Sequence, residues 1–166
     1  MKINITKEEI LQIKLFLITA YKLKSAAAKA HEWEEAAEIR DEEKLMWERF
    51  QNVKNEIINQ LKNFNPASDN IEDYILLQGL LLEFHSTEFY DDCVGEKNIE
   101  TIESHFKKYW NLRDQMQQDL MGFLNESYVY LREQMHQFVK EGDKEKGQMI
   151  LNKLTAISDL IIKNKK

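Results

Sequence analysis

Apolar positions along this chain recur at steps of three and four, and they do so in five separate stretches. Ile10, Ile13, Leu17, Ala20 and Leu23/Lys24 form the first stripe, and Ala26 to Ala30 continue it, which predicts a helix over roughly 7–30. Thr6 followed by Glu9 fits a capping box at its start, hydroxyl and carboxylate each serving a free amide. The second stripe is Ala36, Ile39, Glu43, Met46, Phe50, Val53, Ile57, Leu61 and Phe64, with Glu43 its one interruption, and predicts a helix ending near Asn63. Asn65-Pro66-Ala67-Ser68-Asp69-Asn70 then combines a helix breaker with turn formers and an Asn/Asp cap.

The third stretch, about 71–91, is apolar nearly all round: Ile75, Leu76, Leu77, Leu80, Leu81, Leu82 and Phe84. A helix of that kind is expected at the centre of a bundle. A break follows at Cys93 to Lys97. The fourth stripe runs Ile102, Phe106, Tyr109, Arg113, Met116, Leu120, Phe123, Ser127, Tyr130, Gln134 and Phe138, close to a heptad, so it should pack at a shallow angle against other long helices. Unbroken from 98 to 140 it would extend about 65 Å; a compact domain would shorten such a rod with a kink near Gly122 to Ser127. Glu141-Gly142-Asp143 ends it, and a fifth stripe uses Gly147, Ile150, Leu154, Ile157 and Ile161. The fold class is therefore all-α: an elongated bundle of about five helices, one domain over 1–166, with an N-terminal helical hairpin (1–64) and a bundle portion (71–166).

Composition narrows the function classes. With 43% hydrophobic and 31% charged residues, one Pro and five Gly, the chain is globular and favours helix throughout. A net charge of −6 argues against nonspecific nucleic-acid binding, which needs a basic surface to displace counterions. The longest apolar run, Tyr74 to Phe84, is about half of what a membrane span needs. Glu8, Glu9 and Lys14 spoil the N-terminal stretch as a signal core. Cys93 is the single cysteine, so no internal disulfide can form; a cytoplasmic location is the expectation.

Between the first two stripes lies His31-Glu32-Trp33-Glu34-Glu35-Ala36-Ala37-Glu38-Ile39-Arg40-Asp41-Glu42-Glu43. Trp33, Glu34, Ala36, Ala37, Arg40 and Asp41 fall in the pattern aromatic, Glu, any residue, Ala-Ala, two residues, Arg-Asp. The segment thereby resembles the UVR motif, a short helical hairpin of excision-repair helicase and nuclease subunits, Clp-type unfoldases and kinase adaptors. Trp33 stands where that family usually has Phe, and Glu43 where it has an aliphatic residue. The resemblance implies a turn at His31-Glu32, which no Gly or Pro marks; a single helix running through this point, a plain amphipathic helix or a tetratricopeptide-like turn also fits the pattern. It further implies a non-enzymatic adaptor that docks a protein partner through Trp33, Glu34, Ala36, Ala37, Arg40 and Asp41, the paired alanines admitting a close helix and Arg40 forking to a carboxylate. Self-association as a homodimer is open.

Two other function classes compete. A small acidic inhibitor or immunity-type protein would mask its target with Glu34, Glu35, Glu38, Asp41 and Glu42. A ferritin-like metal-carboxylate protein would need Glu-x-x-His on two helices, and only Glu133 to His136 supplies it; Glu83, His85 and Glu88 do not complete the set. His85 reads instead as a hydrogen-bonded core histidine. Asp91 and Asp92 should suppress the Cys93 thiolate. No catalytic set, metal site or cofactor is therefore expected. Trp33 and Trp47, 14 residues apart, lie near one face of the second helix. Leu131, Met135, Asp143, Glu145, Gly147 and Leu154 faintly echo the 31–43 hairpin, without its Arg-Asp pair.

Overall fold

The computed structural model describes residues 7–165 and holds five helices: α1 (Lys7–Lys29), α2 (Trp33–Lys62), α3 (Ile71–Cys93), α4 (Ile99–Glu141) and α5 (Lys144–Asn164). No strand occurs among the described residues. The all-α reading holds, and each helix end foreseen lies within two residues of its observed place. Thr6, proposed to cap α1, lies outside the described residues.

Local chemistry explains where the helices start and stop. The Asn70 side chain accepts from the Glu72 amide at 3.2 Å, Asn98 from Glu100 at 2.9 Å and Thr101 at 3.3 Å, and Asp143 from Lys146 at 3.1 Å. Each cap satisfies amides that the first helical turn leaves without a partner. At the end of α4, Gly142 takes φ +78°, and Asp143 N–H reaches back to the Phe138 carbonyl at 3.0 Å. That left-handed residue is free for glycine and turns the chain into α5. α4 is helical without interruption across Gly122 to Ser127, so the rod keeps its full length.

Four helices are arranged about α3. α1 runs parallel to it: Lys14 pairs with Glu83, the Tyr90 hydroxyl donates to the Ile18 carbonyl at 3.4 Å, and Tyr21 closes over Gly95. α2 runs antiparallel, Phe50 meeting Phe84 with ring centroids 4.5 Å apart. α4 also runs antiparallel, with Phe89 on Tyr109 at 5.0 Å near one end and Tyr74 stacked on Phe123 at 3.8 Å near the other. α5 folds back along the second half of α4, where Lys146 sits over the Phe138 ring.

Two cores result. Ile10, Ile13 and Leu17 of α1 and Phe50 and Ile57 of α2 meet Leu77, Leu80 and Phe84 of α3. Phe64, Ile71 and Tyr74 meet Leu120, Leu124 and Leu131 of α4 and Ile150, Leu154 and Ile157 of α5. α3 serves both, as its all-round apolar character foretold, although Leu76 remains 45% exposed. The stripe of α2 has no exposed member, and in α5 only Ile161 falls short of burial.

On α4 the foreseen stripe differs from the buried one. Phe106 and Tyr130, both placed on it, are 50% and 42% exposed, while Leu124 and Leu131, which it omits, are fully buried. The reason is a change of partner. Tyr109 and Phe123 stack on Phe89 and Tyr74 of α3, and Met116 and Leu120 line the groove against it, whereas Leu124 and Leu131 lie on the adjacent face that α5 covers. One stripe drawn through both faces fits neither.

Two of the polar links between elements are networks of several bonds. Lys153 of α5 donates to the carbonyls of Pro66, Ala67 and Asp69, at 3.3, 2.7 and 3.0 Å, tying α5 to the α2–α3 loop. Its burial there pulls the ammonium below its usual pKa, partly offset by Asp69. Between α2 and α3, Glu88 accepts from Lys54 at 2.6 Å and from His85 Nδ1 at 3.1 Å. Burial pushes the Glu88 carboxyl up, but bonds from His85, Lys54 and Gln51 outweigh it and hold it at about 2 instead of 4.5. Between those values the unfolded chain binds the proton and the native one does not, so this stabilisation is complete above pH 4.5 and fades as pH falls toward 2. Glu88→Gln should cost about 1–3 kcal/mol near neutrality, since it leaves Lys54 without its charge partner. Urea unfolding of both proteins across that acid window should show the difference shrinking steadily; a constant difference would contradict the assigned network.

Candidate docking surface at the hairpin tip

The turn between α1 and α2 is built by backbone geometry that leaves no Gly or Pro signature. His31 adopts φ +63°, the left-handed region. Its N–H bonds the Ala28 carbonyl at 3.2 Å, and the Glu32 N–H bonds Ala27 at 2.9 Å. This is the double bond pattern of a Schellman ending, with histidine in the place glycine usually takes. The chain therefore breaks at Ala30 to Glu32, and the alternative of one continuous helix does not occur.

Small residues let the two helices close up. Ala20 and Ala27 of α1 are 0% and 3% exposed, and Ala36 and Ala37 of α2 are half-buried. Glu43, where the stripe and the UVR pattern both call for an apolar residue, is almost covered and pairs with Lys24 of α1. Asp91, at the end of α3, approaches the same pair. Its carboxyl is raised by burial first, then by the charges of Glu43 and Asp92, with Lys24 opposing. Neither core cluster takes a residue from the stretch 24–43, whose two ends meet α3 at Asp91.

The six sequence-derived contact residues divide in this arrangement. Trp33 is 63% exposed, with His31 edge-on at 5.8 Å. Arg40 and Asp41 have side chains 70% and 77% exposed and lie 3.8 Å apart at their closest charged atoms. Glu34 is exposed as well, whereas Ala36 and Ala37 contribute to the helix–helix contact. By helical spacing, Trp33, Ala37, Arg40 and Lys44 share one line on α2, and Glu34, Glu38, Asp41, Leu45 and Glu48 an adjacent one. Lys44 and Leu45, the latter 66% exposed, were not among the candidates; projecting the helix from Trp33 would have found both. Trp47, expected near the face of Trp33, is instead packed on Phe50 at 4.8 Å, because α3 runs alongside α2 there.

The remaining candidate groups stay apart. Glu133 and His136 are exposed on α4. His85 is engaged with Glu88 from its own helix, the core role its sequence position suggested. Among the described residues, no group of three or more His, Cys, Asp or Glu side chains is placed to hold a metal ion. Cys93 is half-buried, and its thiol is raised by burial and then by Asp92 and Glu96, so its thiolate is suppressed. Among the described residues no helix is long and apolar enough to cross a membrane.

The chain matches no protein-family model, no curated protein and no solved structure. Its surface chemistry must carry the functional reading.

The turn geometry is directly testable. A non-glycine residue in the left-handed region costs about 1–2 kcal/mol, partly offset because glycine has more freedom to lose on folding. His31→Gly should therefore melt at or slightly above wild type, and His31→Val clearly below it. Equal melting of both variants would mean that residue 31 is not held in this conformation.

Proposed function

We propose that this chain is a non-enzymatic adaptor that docks a protein partner through the tip of the α1–α2 hairpin, in the manner the UVR resemblance suggests. The observation that carries the reading is Trp33, 63% exposed at the outboard end of the hairpin, with Arg40 one turn-pair away on the same line. A large aromatic in water, with a forked cation two turns along the same line, is the composition of an interface anchor. Supporting it are the close approach of the two helices through Ala20 and Ala27, which stiffens the tip, and the Lys24–Glu43 pair, which lets a charged residue occupy the apolar place without disrupting the hairpin.

A second reading keeps some support from one observation. Glu34, Glu35, Glu38, Asp41 and Glu42 are all exposed, as an acidic inhibitor that masks a basic target would require. The two readings use neighbouring lines of the same helix and separate experimentally.

Trp33→Ala and Arg40→Ala should each melt within about a degree or two of wild type, because exposed substitutions change stability by no more than about 0.5 kcal/mol. Trp33→Ala should lose partner affinity by about thirtyfold, the equivalent of about 2 kcal/mol. Capture from host lysate by wild type and both variants, followed by titration with the captured protein, measures this. Glu38→Lys with Glu42→Lys should leave that affinity within a fewfold if the adaptor reading is right. A large loss from the charge reversals with none from Trp33→Ala would favour the acidic inhibitor.

A further inference from the structure

α4 carries one seam that is filled for half its length and open for the other half. Turning at Gly142, the 21 residues of α5 run back along α4 only to about Leu120, covering Leu124 and Leu131. On the uncovered half, the continuation of that seam is Ile99, Glu103, Phe106, Trp110, Arg113 and Gln117. Ile99 is 72% exposed, Phe106 50% and Trp110 39%, and the three polar members are exposed. Beside it, between α3 and α4, lies an open groove of about 500 Å³ whose wall includes Trp110, Arg113 and Gln117 and whose floor includes Gly79. A Cβ built on Gly79 would meet nothing within 4 Å, so this side of α3 is unoccupied.

The spacing of the open seam is four, three, four, three, four, which reads the same from either end and has its centre at residue 108. An antiparallel copy of the same helix laid on it brings Phe106 against Trp110 and Trp110 against Phe106. It also sets Glu103 opposite Arg113 twice, and Ile99 opposite Gln117. Among the described residues neither Glu103 nor Arg113 has a carboxylate–cation partner; Arg113 lies over the Trp110 ring at 4.8 Å. The aromatic side chains are already ordered, Phe106 against Phe89 at 6.1 Å and against Trp110 at 5.6 Å, so little rotamer freedom remains to be lost. Residues 99–117 extend about 27 Å, five turns of helix. α5 demonstrates within the chain that this face of α4 accepts an antiparallel helix.

We propose that the N-terminal half of α4 is a homodimer interface, in which a second copy of this chain lies antiparallel across a two-fold axis at residue 108. The occupant is a second copy because the seam pairs with itself, aromatic on aromatic at Phe106 and Trp110 and acid on base at Glu103 and Arg113, as an isologous contact requires. The interface is independent of the hairpin tip.

Sedimentation equilibrium of the full chain, at concentrations to about 100 µM, tests it; micromolar association is the range expected of a modest interface. Wild type should be dimeric. Trp110→Glu should raise the dissociation constant at least thirtyfold while its circular dichroism and melting stay near wild type. Glu103→Arg should also yield monomer, and Glu103→Arg combined with Arg113→Glu should restore the dimer, a result that misfolding does not produce. In a Cys93→Ser background, mixed Glu103→Cys and Arg113→Cys chains should crosslink on oxidation, and neither should do so alone. A monomeric wild type overturns the proposal, as does a dimer indifferent to Trp110→Glu, one not restored by the charge swap, or crosslinking of either single variant alone. Trp33→Ala should leave the dimer unchanged.

Discussion

Two helices lying side by side cover only part of each other's apolar surface, and a hairpin of two is not stable by itself without something to close its open face. Here both hairpins, α1–α2 and α4–α5, find that closure on the same element. α3 meets the first hairpin through Leu77, Leu80 and Phe84 and the second through Ile71 and Tyr74. A helix asked to do this cannot be amphipathic, which is why its apolar residues run round nearly the whole circumference. The dependence is mutual: without α3, Phe50, Ile57 and Leu120 would each lose a neighbour that now keeps them out of water. Loss of Phe84 alone would open a large cavity where three helices meet, a change that typically costs about 3–5 kcal/mol.

Apolar packing of this kind is tolerant of sliding, and the polar pairs are what oppose it. Lys54 and His85 grip Glu88 between α2 and α3, Lys24 bridges Glu43 toward Asp91 across three helices, and Lys153 holds three carbonyls of the α2–α3 loop. A one-turn shift of α1, α2, α3 or α5 would strand these groups half-buried without partners, at a cost of about 1–3 kcal/mol each. The pairs therefore contribute more to register than to net stability. Asp91 and Asp92 stand at the C-terminal end of α3, where acids oppose the helix dipole; Lys24 of α1 supplies a compensating charge to Asp91, and the His105 ring of α4 lies 3.6 Å from Asp92.

Most of the architecture was legible because it depends on local chemistry. Asn70, Asn98 and Asp143 cap where their side chains can reach, Gly142 turns where only glycine is unstrained, and the stripes of α2 and α5 each keep one face toward the core along their length. Two features escaped for different reasons. The turn at His31 rests on a left-handed residue that is not glycine, so its signal is in backbone angles and not in composition; the UVR resemblance placed it where periodicity alone left a continuous helix open. The burial of Leu124 and Leu131 escaped because α4 changes partner along its length, and a single period cannot describe two faces. The candidate site was legible as a position, less so as a surface. Trp33, Glu34, Arg40 and Asp41 are exposed, but Ala36 and Ala37 serve the hairpin itself, and Lys44 and Leu45 extend the exposed lines along α2.

The same rule decides which aromatic residues are core and which are surface. Trp33 and Trp47 lie near one face of α2, yet one is in water and the other packs on Phe50, because α3 reaches only the second. Leu131 and Trp110 lie on one seam of α4, yet one is sealed and the other is 39% exposed, because α5 stops between them. In both cases a helix outruns the neighbour that covers it and leaves an aromatic side chain in water. Exposing such side chains brings no folding gain, and each adds an aggregation hazard. Residues of smaller or more polar type would serve a purely structural helix end better. Aromatic side chains left beyond the internal partner are the ground on which the hairpin tip and the free half of α4 are proposed as contact surfaces.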